Sequence, residues 1–429
     1  MNSTEKKIEK PLRVSNLAEH IIGSEIIKLA GEVNEKIKKG EKIFNLTIGD
    51  FNPKVFPIPQ DLKQFIVDEY FNDQTNYPAA DGMLELRNAV SNLLKERCHL
   101  DYKSDEIVIA GGARPIIYSV FRAIVDPGDT VIFPVPSWNN NHYTYLNGAK
   151  PVVIEATPES NFMPRASDIA PHLKSATLVA LCSPQNPTGT VFTKAALEEI
   201  CDLILAENNR RNENEKPVYL MYDQIYWALT YGDVQHFNPV TLRPEMKKYT
   251  VFVDGISKSL AATGVRVGWT MAPKKIADKI KAILTHVGAW APKAEQMATA
   301  QYLNRLDFYD KFLDVQKKKI FDRLKGFYDG FMQLKYEGLA VNAIAPQAAI
   351  YLTIQFNLHG KTTAEGIRLE TTRDITKYIL DEAKVAVVPF YAFGADENST
   401  WYRLSVGTCS MEDVHSAIEG LRKALSKLK

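Results

Sequence analysis

The sequence predicts an α/β protein: a large lobe built on a mainly parallel, mixed sheet flanked by helices, and a smaller α+β lobe. Three observations carry that prediction. The chain has 429 residues, more than one ordinary core accommodates, so it should divide into two packed lobes. Up to about residue 290, short apolar β-rich runs alternate with helical patterns, as expected of strands covered on both faces. After that point the pattern changes to one long helical stretch, then short strands and two further helices.

Each element follows from its own local pattern. The start, "MNSTEKKIEKPLRVSN", is polar and lysine-rich and reads as a short mobile arm. Ile22, Ile26, Leu29, Val33 and Ile37 recur at helical spacing between Ile21 and Lys38, and Gly40 supplies a stop. "KIFNLTIG" reads as a strand. "EIVIAGG" is a strand leading into a helix that begins near Ala113, and "TVIFPVP" is the next strand. "TLVALCSP" leads to a helix from about Lys194 to Glu207; the strands "PVYLMYD" and "YTVFVDG" follow. The stretch from Pro292 to Leu334 reads as one long helix joining the lobes. Beyond it come "AAIYLTIQF", a helix near 363–382, "KVAVVPF", "WYRLSVG" and a closing helix from Met411 to Leu428. The expected division is an arm and helix over residues 1–48 packing with the small lobe, a large domain over 49–305, and a small domain over 306–429.

Composition excludes several function classes. Hydrophobic residues make up 45% and charged residues 24%, the balance of a globular protein. A net charge of +1 gives no global attraction to nucleic acid or anionic lipid, so an anionic ligand must be held locally. Cys98, Cys182, Cys201 and Cys409 are dispersed, with no CxxC pair and no Cys/His cluster. That pattern argues against zinc or a disulfide framework and fits a reducing compartment. No apolar run approaches the roughly 20 residues that span a bilayer, and none follows the N-terminal lysines. The expectation is a cytoplasmic protein with no metal, membrane or nucleic-acid partner.

The chemistry concentrates around Asp254 to Trp269, "DGISKSLAATGVRVGW". A lone lysine on a loop is ordinarily solvated. Lys258 instead lies among small residues, flanked by Ser257 and Ser259. Arg266 follows in a run, "VRVGW", that alternates like a strand. A partly desolvated lysine has a depressed pKa and can form a Schiff base with a carbonyl. "AGGARPIIY" puts Gly111 and Gly112 between a strand and a helix, where free N–H groups favour a phosphate, although such a turn can also serve packing alone. Trp138 in "PVPSWNNN" follows another strand. Asp223 ends the apolar run "PVYLMYD", where a carboxylate needs a cationic partner, and Tyr226 shares its side of a turn. In "SPQNPTG", two prolines and a glycine fix the direction of Asn186.

Together these residues resemble the class I/II aminotransferases, pyridoxal-phosphate enzymes of fold type I, most closely the bacterial aspartate-aminotransferase-like branch. The family's lysine, small-residue run and G-x-R-x-G appear as "SKSLAATGVRVG". Its N-P-T-G loop appears as "SPQNPTG", its D-x-x-Y pair as "DQIY", and its carboxylate-binding arginine as "WYRLSVGT". The likeness runs from about Asn45 to Leu421, with the motifs in family order.

The resemblance implies a transaminase (EC 2.6.1 type) with pyridoxal 5′-phosphate as cofactor. Lys258 would bond the cofactor covalently and then move the substrate Cα proton. Asp223 would pair with the pyridine nitrogen; Tyr226 and Asn186 would hydrogen-bond the phenolate oxygen; Trp138 would stack on the ring. Gly112, Ala113, Ser257 and Arg266 would hold the phosphate. Arg403 would grip the substrate α-carboxylate, with Gly49, Asn186 and Trp138 also lining the substrate site. Tyr77, in "NYPAADGMLELR", matches a family tyrosine that reaches the neighbouring subunit's phosphate, which implies a homodimer.

Two features depart from the family pattern. Gln224 replaces the usual glutamate after the aspartate, and "NNNHY" follows Trp138, making Asn140, Asn141 and His142 candidate pocket residues. The expected reaction is ping-pong transfer from an L-amino acid, aspartate-type, to a 2-oxo acid such as 2-oxoglutarate. An aromatic or kynurenine-type donor is the alternative, with Trp290, Lys293, Phe390, Tyr391 and Phe393 as candidate walls. A C–S lyase fits less well, because Thr190 follows N-P-T-G. A non-enzymatic binding protein is the remaining class, and it would be colourless when purified. No residue in the sequence identifies the cation that an aspartate side chain would need.

Overall fold

The computed structural model describes residues 12–429 except Ile22 and Ser24; the lysine-rich start of the expected arm lies outside the described residues. The large lobe centres on a seven-stranded sheet. Its strands are β1 (Ile107–Ala110), β2 (Thr130–Val135), β3 (Lys150–Glu155), β4 (Ala176–Cys182), β5 (Tyr219–Asp223), β6 (Thr250–Gly255) and β7 (Gly268–Met271). The spatial order is β1-β7-β6-β5-β4-β2-β3. Neighbours are parallel except at β7, which runs antiparallel to both β1 and β6.

The strands are apolar on both faces because both are covered. Val108, Val131, Phe133, Leu178 and Val251 pack against Ile116 and Val120 of helix Ala113–Ile124 and Ile280 and Leu284 of helix Lys274–Val287. Alternate residues, including Ile109, Ile132, Val179 and Leu220, join the second, larger core on the other face, since successive strand side chains point oppositely. Each such side chain contributes roughly 1.5–3 kcal/mol by leaving water.

The small lobe carries an antiparallel sheet of β8 (Val341–Ala343), β9 (Tyr351–Phe356), β10 (Val388–Pro389) and β11 (Trp401–Ser405), ordered β10-β11-β9-β8. Helices Leu306–Tyr336 and Met411–Leu425 pack on one another beside it. Helix Glu25–Lys38 leans on this lobe: Val33 packs with Leu380 and Ala386, and Lys36 pairs with Asp381 at 2.8 Å.

Four local expectations change; in the first, the helix expected near 363–382 begins only at Thr372, where the Thr371 side chain caps it. The long helical stretch is two helices, Lys293–Leu303 and Leu306–Tyr336, interrupted at Asn304 and Arg305. The first packs on helices Gln60–Phe71 and Leu84–Cys98 of the large lobe, the second on the closing helix and β8. Two sets of packing partners require two axes, and tertiary packing overrides continuous local helicity. "KIFNLTIG" is a strand only at Phe44–Asn45, paired in parallel with Val385–Ala386; Thr47 and Gly49 instead turn their carbonyls to side chains. Arg266 precedes β7 rather than lying in it, and its φ of 62° puts it in the left-handed region.

Candidate active site

The C-terminal ends of β4, β5 and β6 open on one cavity of about 580 Å³, closed from the far side by β9, β11 and helix Glu25–Lys38. Ligands of open α/β sheets bind at such strand ends. Lys258 stands on the helical turn Ile256–Ser259 that directly follows β6. Its Nζ donates to the carbonyl of Gly49 at 2.7 Å. Burial holds its pKa down to about 8; Asp50 opposes that shift, while Arg403, Arg114 and Arg266 reinforce it.

Asp223 is the last residue of β5, and its Oδ1 accepts from the Ile225 N–H at 3.0 Å. No cation forms an ion pair with it among the described residues. Burial raises its pKa to about 6, with the Ile225 N–H and Lys258 pulling the other way. Tyr226, in the turn after it, shares a 2.7 Å hydroxyl–hydroxyl hydrogen bond with Tyr351 of β9.

Arg403, at the centre of β11, is 1% exposed. Nη1 donates to Asn186 Oδ1 at 3.0 Å and Nη2 to the Thr47 carbonyl, while Nε has no partner. The rings of Tyr351 and Phe393 lie 4.7 Å and 4.8 Å from its guanidinium. Burial without a carboxylate lowers its pKa. A buried guanidinium with spare donors is an anion site.

Opposite Arg403, Arg266 donates to the carbonyls of Thr263 at 2.6 Å and Gly111 at 2.9 Å. Gly112 has φ +95°, and its missing side chain leaves room for that guanidinium. A Cβ on Gly268 would lie 2.7 Å from the carbonyl carbon of Gly112. These glycines let the start of helix Ala113–Ile124 close on β7 and turn its free N–H groups toward the cavity, beside Ala113 and Ser257. Trp138 forms a side wall, with the Arg114 guanidinium 5.2 Å from its ring.

Thus Lys258, Asp223, Tyr226, Asn186, Arg266, Arg403, Trp138, Ser257, Ala113 and Gly49 share this cavity, with Gly112 against the Arg266 guanidinium. Tyr77 does not line it: its ring is 81% exposed and meets Trp290 edge-on at 5.4 Å. Trp290 and Lys293 also lie outside their own chain's cavity, Lys293 donating to Asn76. Phe390 packs in a small core with Phe162; Phe393 joins that core and also sets its ring 4.8 Å from the Arg403 guanidinium, while Tyr391 lines a neighbouring recess. Of the NNNHY residues, Asn140 reaches the cavity, whereas Asn141 and His142 line a neighbouring recess.

Sequence reasoning missed Thr47, Tyr351 and Arg114. Tyr351 sits in an ordinary strand pattern and gave no signal. Arg114 did give one: a cation in the first turn of a helix opposes the dipole and so calls for an anion.

Residues 41–421 match the family of aminotransferases of class I and II. The chain belongs to that family. This aminotransferase is 28% identical over 412 residues to an aspartate aminotransferase of Rhizobium meliloti (strain 1021), covering 94% of each chain. It is 29% identical over 396 residues to a probable aspartate/prephenate aminotransferase of Rickettsia prowazekii (strain Madrid E), covering 91% of this chain and 93% of that one. The crystal structure of the Rhizobium meliloti aspartate aminotransferase superposes with a TM-score of 0.88 at 27% identity, over 98% of this chain and all of that one.

Class I/II aminotransferases depend on pyridoxal 5′-phosphate, and the residues of this one fit it. A phosphate has free N–H groups and Arg266; an aldehyde has the Lys258 amine; a pyridine nitrogen has a carboxylate, Asp223, that lacks a cation. Gly112 leaves room for the Arg266 guanidinium, and Gly268 for the backbone of Gly112 and Ala113. Among the described residues, no group of three metal-binding side chains could hold an ion, and no helix is long and apolar enough to cross a membrane.

Proposed function

We propose that this aminotransferase takes its amino group from an aspartate-type donor and passes it to a 2-oxo acid, most simply 2-oxoglutarate, in two half-reactions at one site. The observation that carries the site assignment is the Lys258 amine, held near neutrality between the buried guanidinium of Arg403 and the unpaired carboxylate of Asp223. The donor assignment is supported by the two bacterial relatives, one named for aspartate and the other for aspartate/prephenate.

Bound pyridoxal phosphate supplies an aldehyde to capture the amino group and a ring that accepts the electron pair left at Cα. Arg403 binds the α-carboxylate with two parallel N–H donors, and Asn186 holds the guanidinium in plane. That anchor turns the substrate Cα toward Lys258, whose pKa of about 8 suits it to take and return a proton near neutral pH. Asp223 would pair with the ring nitrogen and favour its protonated form. Tyr226, hydrogen-bonded to Tyr351, would donate to the ring oxygen. Gly112, Ala113, Ser257 and Arg266 would hold the phosphate, Trp138 would stack on the ring, and Gly49, whose carbonyl accepts from Lys258, would line the substrate site. Ile26, Ile27 and Ala30 of the N-terminal helix add an apolar edge that limits water.

The exposed Tyr77 fits a homodimer in which its hydroxyl reaches the partner's phosphate. The same reading includes a cytoplasmic location and the division into 49–305 and 306–429, supported by the separate sheets on either side of residue 306.

The test is a single half-reaction. The loaded protein is mixed with one amino acid at a time, without an oxo acid, and the visible cofactor band is followed. Loss of the band with aspartate and glutamate supports the donor assignment. Loss only with phenylalanine, tyrosine or kynurenine would replace it with an aromatic donor. No band in protein supplied with pyridoxal phosphate would sink the assignment of Lys258.

A further inference from the structure

Gln224 stands where the family has glutamate, and nothing in the cavity explains it. The residue directly follows Asp223 at the end of β5, is 0% exposed and does not line the cavity. On the adjoining strand β6, Asp254 is also 0% exposed and also outside the cavity. The two belong to one polar cluster beneath the strand ends. Asp254 accepts from the Trp227 Nε1–H at 2.9 Å on one carboxylate oxygen and from the Gly255 N–H at 2.7 Å on the other. The Gln224 N–H donates to the Val253 carbonyl at 2.9 Å, and the Gln224 carbonyl accepts from the Trp227 N–H at 2.8 Å. Gln224 Oε1 lies 3.4 Å from His236 Nε2. The other end of the amide, Nε2, is buried without a hydrogen bond among the described residues and favours the ionised form of Asp254.

This cluster has no room for a second carboxyl. Burial drives the Asp254 pKa well up; the Gly255 N–H, Trp227 and Gln224 oppose that shift, and Asp223 adds to it. Among the described residues no cation forms an ion pair with Asp254. The other titratable groups around it, Cys98 and Tyr309, and His236 behind Gln224, are held uncharged by burial. A glutamate at 224 would set two buried carboxyls together with nothing to neutralise either. Glutamine removes that conflict and offers a donor in its place.

Resting on the assignment of Lys258 and Asp223 to the cofactor, we infer that Gln224 and Asp254 act as one positioning pair, an amide and a carboxyl that lock the ends of β5 and β6 and hold those two residues in register. Asp223 directly precedes Gln224, and Lys258 stands four residues after Asp254, on the turn that follows β6. The pair continues the β5–β6 ladder past its rung from the Gln224 N–H to the Val253 carbonyl. It also gives the departure from glutamate a physical reason.

The experiment compares wild type, Gln224→Glu, Gln224→Met and the swapped double variant Gln224→Glu/Asp254→Asn, each supplied with pyridoxal phosphate. It follows the thermal midpoint, cofactor release, and kcat and KM for the donor that wild type converts, between about pH 5 and 8. A carboxyl introduced beside Asp254 has a folded pKa above its unfolded value of about 4.3. Stability relative to wild type therefore falls as pH rises from there to the folded pKa. In Gln224→Glu the midpoint should drop and cofactor release should quicken toward the upper end of that range. There kcat should fall by about 10- to 100-fold, the cost of a small misplacement, with KM little changed. Gln224→Met, which removes the donor without adding a charge, should show a smaller loss that does not vary with pH. The swap should recover part of the loss and flatten its pH dependence. Wild-type behaviour in Gln224→Glu, or a loss equal at every pH and unrelieved by the swap, overturns the inference. A loss confined to KM also overturns it, by assigning Gln224 to substrate binding. Should Gln224→Glu fail to fold, a folded double variant supports the pair and an unfolded one overturns it. Wild type without a visible cofactor band overturns the site assignment itself; a wild-type band with variants indifferent to pH overturns only this inference.

Discussion

The Nζ of Lys258 donates a 2.7 Å hydrogen bond to the carbonyl of Gly49, 209 positions earlier in the chain. This contact joins the strand end that carries the reactive amine to the segment entering from the small lobe. The same segment presents the Thr47 carbonyl to Arg403. Lys258 and Arg403 are therefore both positioned by one stretch of backbone.

Gly49→Ala tests that arrangement. The added Cβ would lie 2.7 Å from the Tyr351 hydroxyl and 3.6 Å from Arg403 Nη1, so Tyr351 must move away from Tyr226. Misplacement by about 1 Å can cost on the order of 10²-fold in rate, and we expect a loss of that order for every donor. Wild-type kinetics in the variant would show that Gly49 is not needed for close approach.

The state of Lys258 predicts a pH profile. Below about 8 its amine carries a proton and cannot attack an aldehyde; above it the amine is neutral. The rate at which cofactor-free protein couples to pyridoxal phosphate should rise with pH and level off just above 8. An unshifted lysine, at 10.5, would still be rising there. Stopped-flow absorbance across that range distinguishes the two, and a midpoint near 10.5 contradicts the buried environment.

Arg403→Lys keeps the charge but loses the planar pair of donors. It also leaves Asn186 Oδ1 and the Thr47 carbonyl without their guanidinium partner. Such losses at buried charge pairs cost about 2–5 kcal/mol, so kcat/KM should fall at least about 30-fold for all donors alike. A loss confined to dicarboxylic donors would instead assign Arg403 to the side-chain end.

Gly268→Ala should damage the cradle. Its Cβ would sit 2.7 Å from the Gly112 carbonyl carbon and 2.9 Å from the Ala113 nitrogen, and backbone cannot swing aside as a side chain can. Overpacking of this kind costs about 1–3 kcal/mol. We expect a lower denaturation midpoint together with weaker cofactor retention. Gly31→Ala, in helix Glu25–Lys38 with nothing within 4 Å, should instead stabilise by about 0.5–1 kcal/mol.

Much of this was legible along the chain, because a sheet covered on both faces is written as uninterrupted apolar runs. The ends of those runs at Cys182, Asp223 and Gly255 are where the site lies. Asp223 was readable because a carboxylate closing an apolar strand is costly without a function. Tyr351 was not, because a tyrosine in a strand looks the same whether it packs or positions a neighbour. The break at Asn304 and Arg305 was hidden because both flanking segments are good helix, and only their different packing partners separate them.

By itself, the sequence determined the α/β class, most of the strands along the chain (β3 and β8 gave no signal), and the candidate residues around Lys258. These depend on local periodicity and on residues costly to place without a role. Tertiary structure alone decided which distant groups meet: Tyr226 with Tyr351 across 125 positions, Arg403 with Asn186 across 217, and Arg114 with the cavity. Such pairings depend on how the two sheets pack around one shared core that runs from Val179 to Ile354 and Leu404, a matter of burial and shape summed over many side chains. No short stretch of sequence contains that sum.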